Sequence, residues 1–337
     1  MPILPPKELK PPFYYLGNAH LQTIVPSLFR KVNGVVYERE RINTPDGDFL
    51  DLDWAWAEQQ EKVNGSLSSN KVKPSKKLLI VSHGLEGSAD RHYVKGLIKV
   101  MNKEGWDGLG WNCRSCSGEL NRLPRFYHHG DTPDLDLVVQ HALKRFGYQT
   151  IALAGFSMGG SMTLKYFGER GENILPQIKK GVAFSVPCDL AACSDELSKS
   201  SKMFYTKRFL KKLNKKIIEK AKLMPEKISA EPIKNIRVFR DFDNAYSSQL
   251  HGFKDADDYY SQASSINYLH GIRKPVLLIN TLNDPFLTPS CFPKEIAENH
   301  PFLHLEMPLQ GGHVGFQCSG QRETYAELRA REWLSNL

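Results

Sequence analysis

Cysteine is scarce in this sequence, six in 337 residues, which is too few for a disulfide scaffold. Long apolar runs are missing as well. None approaches the roughly 20 residues that a membrane-spanning helix needs. The opening stretch MPILPPKELKPPFYYLGNAH carries prolines and charges where a signal peptide needs an unbroken apolar segment. Biased repeats are absent too, and with 41% apolar and 24% charged residues the composition is that of an ordinary soluble globular protein rather than a disordered one. The expectation is a cytoplasmic, reduced protein with a sizeable core, built as one large α/β domain or two modest ones.

What is present is unevenly placed. The formal charge is +8, yet residues 199–222 alone hold ten Lys or Arg against the single acid Glu219, so the remainder is close to neutral. A nucleic-acid binder would spread basic residues along a groove-facing surface. The charge therefore marks one special segment, and no nucleic-acid partner is expected.

From about residue 77 onward, short apolar runs alternate with amphipathic stretches, the pattern of parallel strands joined by crossover helices. KLLIVS (77–82), TIALAG (150–155), GVAFSV (181–186) and PVLLIN (275–280) read as buried strands. WDGLGWN (106–112) sits where another is needed, although two glycines weaken it. Leu135, Val138, Ala142 and Phe146 recur at helical spacing. Upstream, VVYERERINT and DFLDLDWAW flank the turn signal Pro45-Asp46-Gly47, which predicts an antiparallel hairpin extending the sheet. The polar stretch 64–77 reads as an exposed loop. Residues 1–30 match no pattern strongly and are expected to form an arm packed on the body.

The βα rhythm breaks at about Cys188 and resumes after Asn267. An insertion there, between strands, is most simply a helical cap (188–267) over the carboxyl edge of a sheet built from 31–187 and 268–337. Within it Phe209, Leu213 and Ile217 lie four apart with lysines around most of the remainder, a basic amphipathic helix at about 203–222.

Gly155-Phe156-Ser157-Met158-Gly159 is G-x-S-x-G between a predicted strand and a predicted helix. Gly155 and Gly159 relieve crowding in a sharp turn that exposes the serine hydroxyl, and the helix aims its N-terminal N–H groups at any anion formed there. A plain glycine-rich turn with a capping serine would look similar. A nucleophile demands more: a base to take its proton and a carboxylate to orient that base. Asp284 follows the strand 275–280, and His313 sits between glycines after the next one, in the Ser, Asp, His order of α/β-hydrolases. Asp189 is the rival acid. Backbone N–H groups of Leu85, in the loop His83-Gly84-Leu85, and of Met158 are candidates for the oxyanion hole. His83 reads as structural rather than as a second base.

GNAHLQTIVPSL (17–28), HGLEGS (83–88), NCRSCSGELNRLPRFYHHGDTPDL (112–135), GFSMGG (155–160), FDNAYSSQLHGFKDADDYYSQASS (242–265), NDPF (283–286) and GGHVGF (311–316) together resemble the YheT-like branch of the α/β-hydrolase superfamily, which is related to eukaryotic abhydrolase-domain lipases and esterases. The resemblance spans nearly the whole chain. It implies an α/β-hydrolase fold and a hydrolase acting on carboxylic esters, with Ser157, Asp284 and His313 as the triad. Some similar proteins act on phospholipids or transfer acyl groups to alcohols. The stretch usually similar to NFRGCSGE reads NCRSCSGE here, so Cys113 and Ser115 stand where the branch has a bulky residue and a glycine. Neither Cys113 with Cys116 nor His128 with His129 has the spacing or context of a metal or redox site, and the triad chemistry requires no cofactor.

The expected partner is a small-molecule or lipid ester. Two alternatives remain beside a plain carboxylesterase. One is a lipase, phospholipase or acyltransferase at a membrane surface, with the basic helix meeting anionic headgroups through lysines such as Lys211 and Lys212. The other is a non-catalytic binding protein on a hydrolase fold.

Overall fold

Strands buried on both faces need near-continuous apolar runs, and the runs singled out above become the centre of the sheet. The computed structural model describes residues 3–15, 17–57, 74–335 and 337. Of the polar stretch 64–77, residues 64–73 lie outside them. Among the described residues, β1 (Ile3–Leu4), β2 (Glu38–Asn43), β3 (Phe49–Ala55), β4 (Lys77–Ser82), β5 (Asp107–Asn112), β6 (Thr150–Phe156), β7 (Ile178–Phe184), β8 (Val276–Ile279) and β9 (Leu303–Glu306) form one sheet. Their order is β1-β9-β8-β7-β6-β4-β5-β3-β2. The hairpin strands β2 and β3 are antiparallel, as their turn signal predicts, and β3 also pairs antiparallel with β5, while the remaining neighbours run parallel.

Alternation sorts the side chains onto two faces. Leu78 and Ile80 join one core, Leu79 and Val81 the other. The helices in chain order are α1 (Ala19–Phe29), α2 (His92–Lys103), α3 (Thr132–Phe146), α4 (Met158–Arg170), α5 (Leu190–Leu197) and α6 (Met203–Leu223), with further turns and the helix Tyr325–Leu334 after them. Helix α2 and Tyr325–Leu334 cover one face of the sheet, and α3 and α4 the other. The glycines that weakened the prediction of β5 have a packing purpose. A Cβ on Gly108 would stand 2.4 Å from Ile98 Cγ2 and one on Gly110 2.8 Å from Ala89 Cβ. Bare backbone lets α2 lie close on the strand.

Two expectations change. Residues 1–30 carry regular structure after all: β1 pairs with β9, and α1 is capped by Asn18, whose Oδ1 accepts from the amides of His20 and Leu21 at 2.8 and 3.1 Å. Pro26 inside the helix hid the pattern. In addition, β7 starts three residues before the predicted strand and stops at Phe184, because Ser185 turns out of the sheet at φ 51°.

The motif NCRSCSGE…DTPDL is explained by a buried arginine. Arg114 donates to both oxygens of Asp134 at 2.8 Å, to Asp46 at 2.9 Å and to Asp48 at 3.0 Å, tying the hairpin turn to α3. Ser115, where the branch has glycine, adopts φ 63°. Its Oγ accepts from the amide of Asn121 at 3.0 Å. A left-handed backbone favours glycine, and local hydrogen bonding holds the serine in this conformation.

From β4 the chain moves to β5 on one side, then crosses to β6 on the other and continues outward to β9. The crevice outside the carboxyl ends of β4 and β6 is therefore the switch point where open α/β sheets bind ligands. Ser157 follows β6 directly.

Candidate active site

Ser157 has φ 55° and ψ −119°, an unusual backbone for a side-chain-bearing residue, and its amide donates to Phe184 O at 2.8 Å. The turn is possible only because its neighbours lack side chains. A Cβ on Gly155 would fall 2.1 Å from Gly159 O, and one on Gly159 2.2 Å from Ser82 O. The strained turn lifts Oγ clear of the sheet, at the start of α4.

Asp284 lies in the turn after β8 and His313 in the loop after β9. His313 Nε2 is 2.9 Å from Ser157 Oγ, and His313 Nδ1 is 2.8 and 3.1 Å from the two oxygens of Asp284. A carboxylate only accepts, so Nδ1 carries the hydrogen and Nε2 presents its lone pair to the serine. Asp284 also accepts from the Phe286 amide at 2.9 Å, and the Phe286 ring stacks on the imidazole with centroids 4.0 Å apart. The rival Asp189 is occupied elsewhere, capping α5 by accepting from Ala192 N at 3.1 Å.

His83 is structural. Its Nε2 accepts from the Cys113 amide at 3.1 Å, so Nδ1–H donates to Gly84 O at 2.7 Å. Complete burial lowers its pKa to about 4, which keeps it neutral. Gly84 runs close beside Ser157: a Cβ there would be 3.2 Å from Ser157 Cβ. Leu85 and Met158 both line the cavity onto which Ser157 and His313 open.

That cavity has a volume of about 110 Å³ and runs beneath the helices between β7 and β8. Phe209 and Leu213 of α6, with Leu190, Phe239 and Phe242, make it apolar, and Ile217 is fully buried below them. His128, His129 and Asp243 line it as well. His129 Nδ1 meets Tyr259 OH at 2.9 Å, and burial pushes the Asp243 carboxyl up to about 6.

The lysines of α6 do not all face solvent, contrary to the pattern expected of a basic amphipathic helix. Lys212 lines a second cavity at Ser157. Lys216 pairs with the buried Glu86 at 2.7 Å, and Lys220 donates to the carbonyls of Leu123, Pro124 and Arg125. An i, i+4, i+8 stripe beside the apolar one faces inward, because each ammonium finds oxygen acceptors there.

Several supporting residues escaped the sequence pattern. Gln22 Oε1 accepts from Gly311 N at 2.7 Å and from Asn283 Nδ2 at 3.1 Å; Thr23 Oγ1 accepts from His313 N at 2.9 Å; Ser185 Oγ accepts from Val314 N at 2.9 Å. Gln22 and Thr23 lie in GNAHLQTIVPSL, so the motif itself was the available signal. Burial pushes up the thiols of Cys113 and Cys116. Among the described residues no group of three or more His, Cys, Asp or Glu is arranged to hold a metal ion, and no helix is long and apolar enough to cross a membrane.

No family model matches the chain. It is 34% identical over 328 residues to the protein named "Putative esterase YheT" of Escherichia coli strain K12, covering 96% of this chain and 92% of that one. It is 28% identical over 306 residues to phospholipase ABHD3 of Bos taurus, covering 90% and 72%. Among solved structures, the esterase Pf2001 of Pyrococcus furiosus superposes with a TM-score of 0.58 at 18% identity, covering 98% of each chain.

Proposed function

The chain belongs to the YheT-like branch of the α/β-hydrolase superfamily, and we propose that it is a serine hydrolase of carboxylic esters. The observation that carries this is the continuous hydrogen-bond path from Ser157 Oγ through His313 to Asp284, with links of 2.9 and 2.8 Å. As the serine oxygen attacks the acyl carbon, His313 Nε2 takes its proton, and Asp284 stabilises the imidazolium and fixes its tautomer. The carbonyl oxygen gains a negative charge that the amides of Leu85 and Met158 receive. His313 then returns the proton to the departing alcohol, leaving an acyl-enzyme on Ser157. Water, activated by the same imidazole, releases the acid.

The printed names of the relatives, an esterase and a phospholipase, support an ester as substrate. Residues 188–267 act as a cap on the core formed by 31–187 and 268–337, and residues 1–30 as an arm bracing the catalytic loops. The apolar cavity suits an acyl chain, which favours a lipid ester over a short one. Six free thiols fit a reducing, cytoplasmic setting.

The test is hydrolysis of nitrophenyl esters from acetate to palmitate at neutral pH, wild type beside Ser157→Ala. Turnover lost in the variant supports the serine esterase. Turnover that survives, or none at any chain length in the wild type, overturns it.

A further inference from the structure

Two cavities, not one, open onto the nucleophile. The second, of about 120 Å³, shares Leu85, Ser157, Phe209, Phe286 and His313 with the apolar one. Its remaining wall is different in kind: Arg91, Arg208 and Lys212 line it, and among the described residues no carboxylate does. None of these three cations takes part in an ion pair among the described residues. Arg91 and Lys212 each donate to the carbonyl of Glu86, at 3.2 and 3.4 Å, which orients them without neutralising them. The carboxylate of Glu86 is committed elsewhere, accepting from Tyr127 OH at 2.6 Å and from Lys216 at 2.7 Å. Burial lowers the pKa of Lys212 and the nearby charge of Arg91 lowers it further; Glu86 partly offsets this, but with Arg208 and Lys216 also pulling it down the net direction stays downward, so the cations crowd one another.

Uncompensated positive charge at the mouth of a cavity is costly unless an anion relieves it. We propose that this second cavity is a subsite for a phosphate on the alcohol side of the ester, while the apolar cavity takes the acyl chain. Three cations lining the cavity, with the one nearby acid, Glu86, committed to Lys216 and Tyr127, suit a phosphate, whose charge and several acceptor oxygens exceed those of a carboxylate, and arginine matches it in forked geometry. The inference rests on the ester-hydrolase assignment and deepens it, since both cavities meet at Ser157. It also gives the charge of α6 a local purpose: Arg208 and Lys212, one turn apart, serve the site rather than a membrane plane.

The experiment compares 1-decanoylglycerol with 1-decanoylglycerol 3-phosphate as monomeric substrates, in the wild type, in Arg208→Glu with Lys212→Glu, and in Lys211→Glu with Lys215→Glu, which makes the same charge change on the outer face of α6. The expected result is a kcat/KM ratio favouring the phosphate ester by tenfold or more in the wild type. That preference falls at least tenfold in the first double variant and persists in the second. A wild-type ratio near one, or an equal fall in both double variants, overturns the subsite. Calorimetry on the Ser157→Ala protein separates this from the reaction itself. Decyl phosphate should bind more tightly than inorganic phosphate and lose affinity with Arg208→Glu and Lys212→Glu. Equal affinity for the two ligands would mean a site for free phosphate and overturn the alcohol-side assignment. Turnover of both substrates by Ser157→Ala would sink the serine-hydrolase assignment while the calorimetry still decides the subsite.

Discussion

Gln22 Oε1 accepts from the amide of Gly311 at 2.7 Å, and the same oxygen accepts from Asn283 Nδ2 at 3.1 Å. One side chain of α1 thereby holds the loop of Asp284 against the loop of His313. Asn283 completes the ring by accepting from the Gly312 amide at 3.1 Å. The geometry of the candidate triad thus depends on residues outside it.

Gln22→Ala should accordingly lower kcat on nitrophenyl esters on the order of 10²-fold with KM little changed, because loosened loops misplace the base by a fraction of the reacting distance. A KM effect with kcat intact would show that Gln22 contacts substrate instead.

Asp284→Asn should leave the fold intact and lower kcat roughly 10⁴-fold, since an amide in place of the carboxylate favours the wrong imidazole tautomer. Circular dichroism checks the fold and ester kinetics the rate; near-wild-type turnover would assign the orienting role to another acid.

Leu213→Trp fills the apolar cavity near Ser157. Turnover of palmitate esters should fall roughly tenfold or more while acetate esters are spared. An unchanged chain-length profile would place the acyl chain elsewhere.

Glu86→Gln removes the partner of Lys216, whose side chain is only 17% exposed. An orphaned buried charge costs roughly 3–5 kcal/mol, measurable as a lower urea midpoint, and Glu86→Gln with Lys216→Met should recover most of it. A loss below about 1 kcal/mol in the single variant would mean that Lys216 swings out to water.

Stability should decline in mild acid. Burial lowers the pKa values of His83 and His129 to about 4, and burial with the nearby Arg30 and Arg91 lowers that of His92 to about 3. The unfolded chain binds these protons near pH 6.5 and the folded chain only near 3–4, so between those limits the unfolded state holds more protons. The stabilisation is complete above pH 6.5, erodes as pH falls and is gone below the folded values. For the fully buried His83 it is on the order of 3 kcal/mol. Asp243, raised to about 6 by burial, works in the opposite sense between pH 4 and 6. Chemical denaturation at pH 7 and pH 4.5 should show a smaller drop for His129→Gln than for the wild type; parallel drops would refute the attribution to that residue.

Most of the sheet and the candidate triad were legible because both rest on local rules. Apolar runs make buried strands, Pro-Asp-Gly makes the turn before β3, and G-x-S-x-G is forced by backbone clashes that only glycine avoids. Helix α1 was not legible, because Pro26 masks its periodicity. The inward lysines were not legible either, because helical spacing shows which side chains share a face and not which carbonyls await them. Lys220 needed the carbonyls of Leu123, Pro124 and Arg125, nearly a hundred positions away. Gln22 and Ser185 act through contacts of the same long-range kind.

The bracing of the catalytic loops by α1 has a consequence for biosynthesis. Gln22 and Thr23 leave the ribosome 289 and 290 residues ahead of the amides they hold, and β1 likewise waits for β9 to emerge before it has a neighbour. This segment is thus made long before the residues that hold it in place. The loops of Asp284 and His313 therefore gain their brace only after residues made hundreds of codons later than Gln22 and Thr23 have emerged, so the candidate site should be completed late in synthesis rather than built up along it.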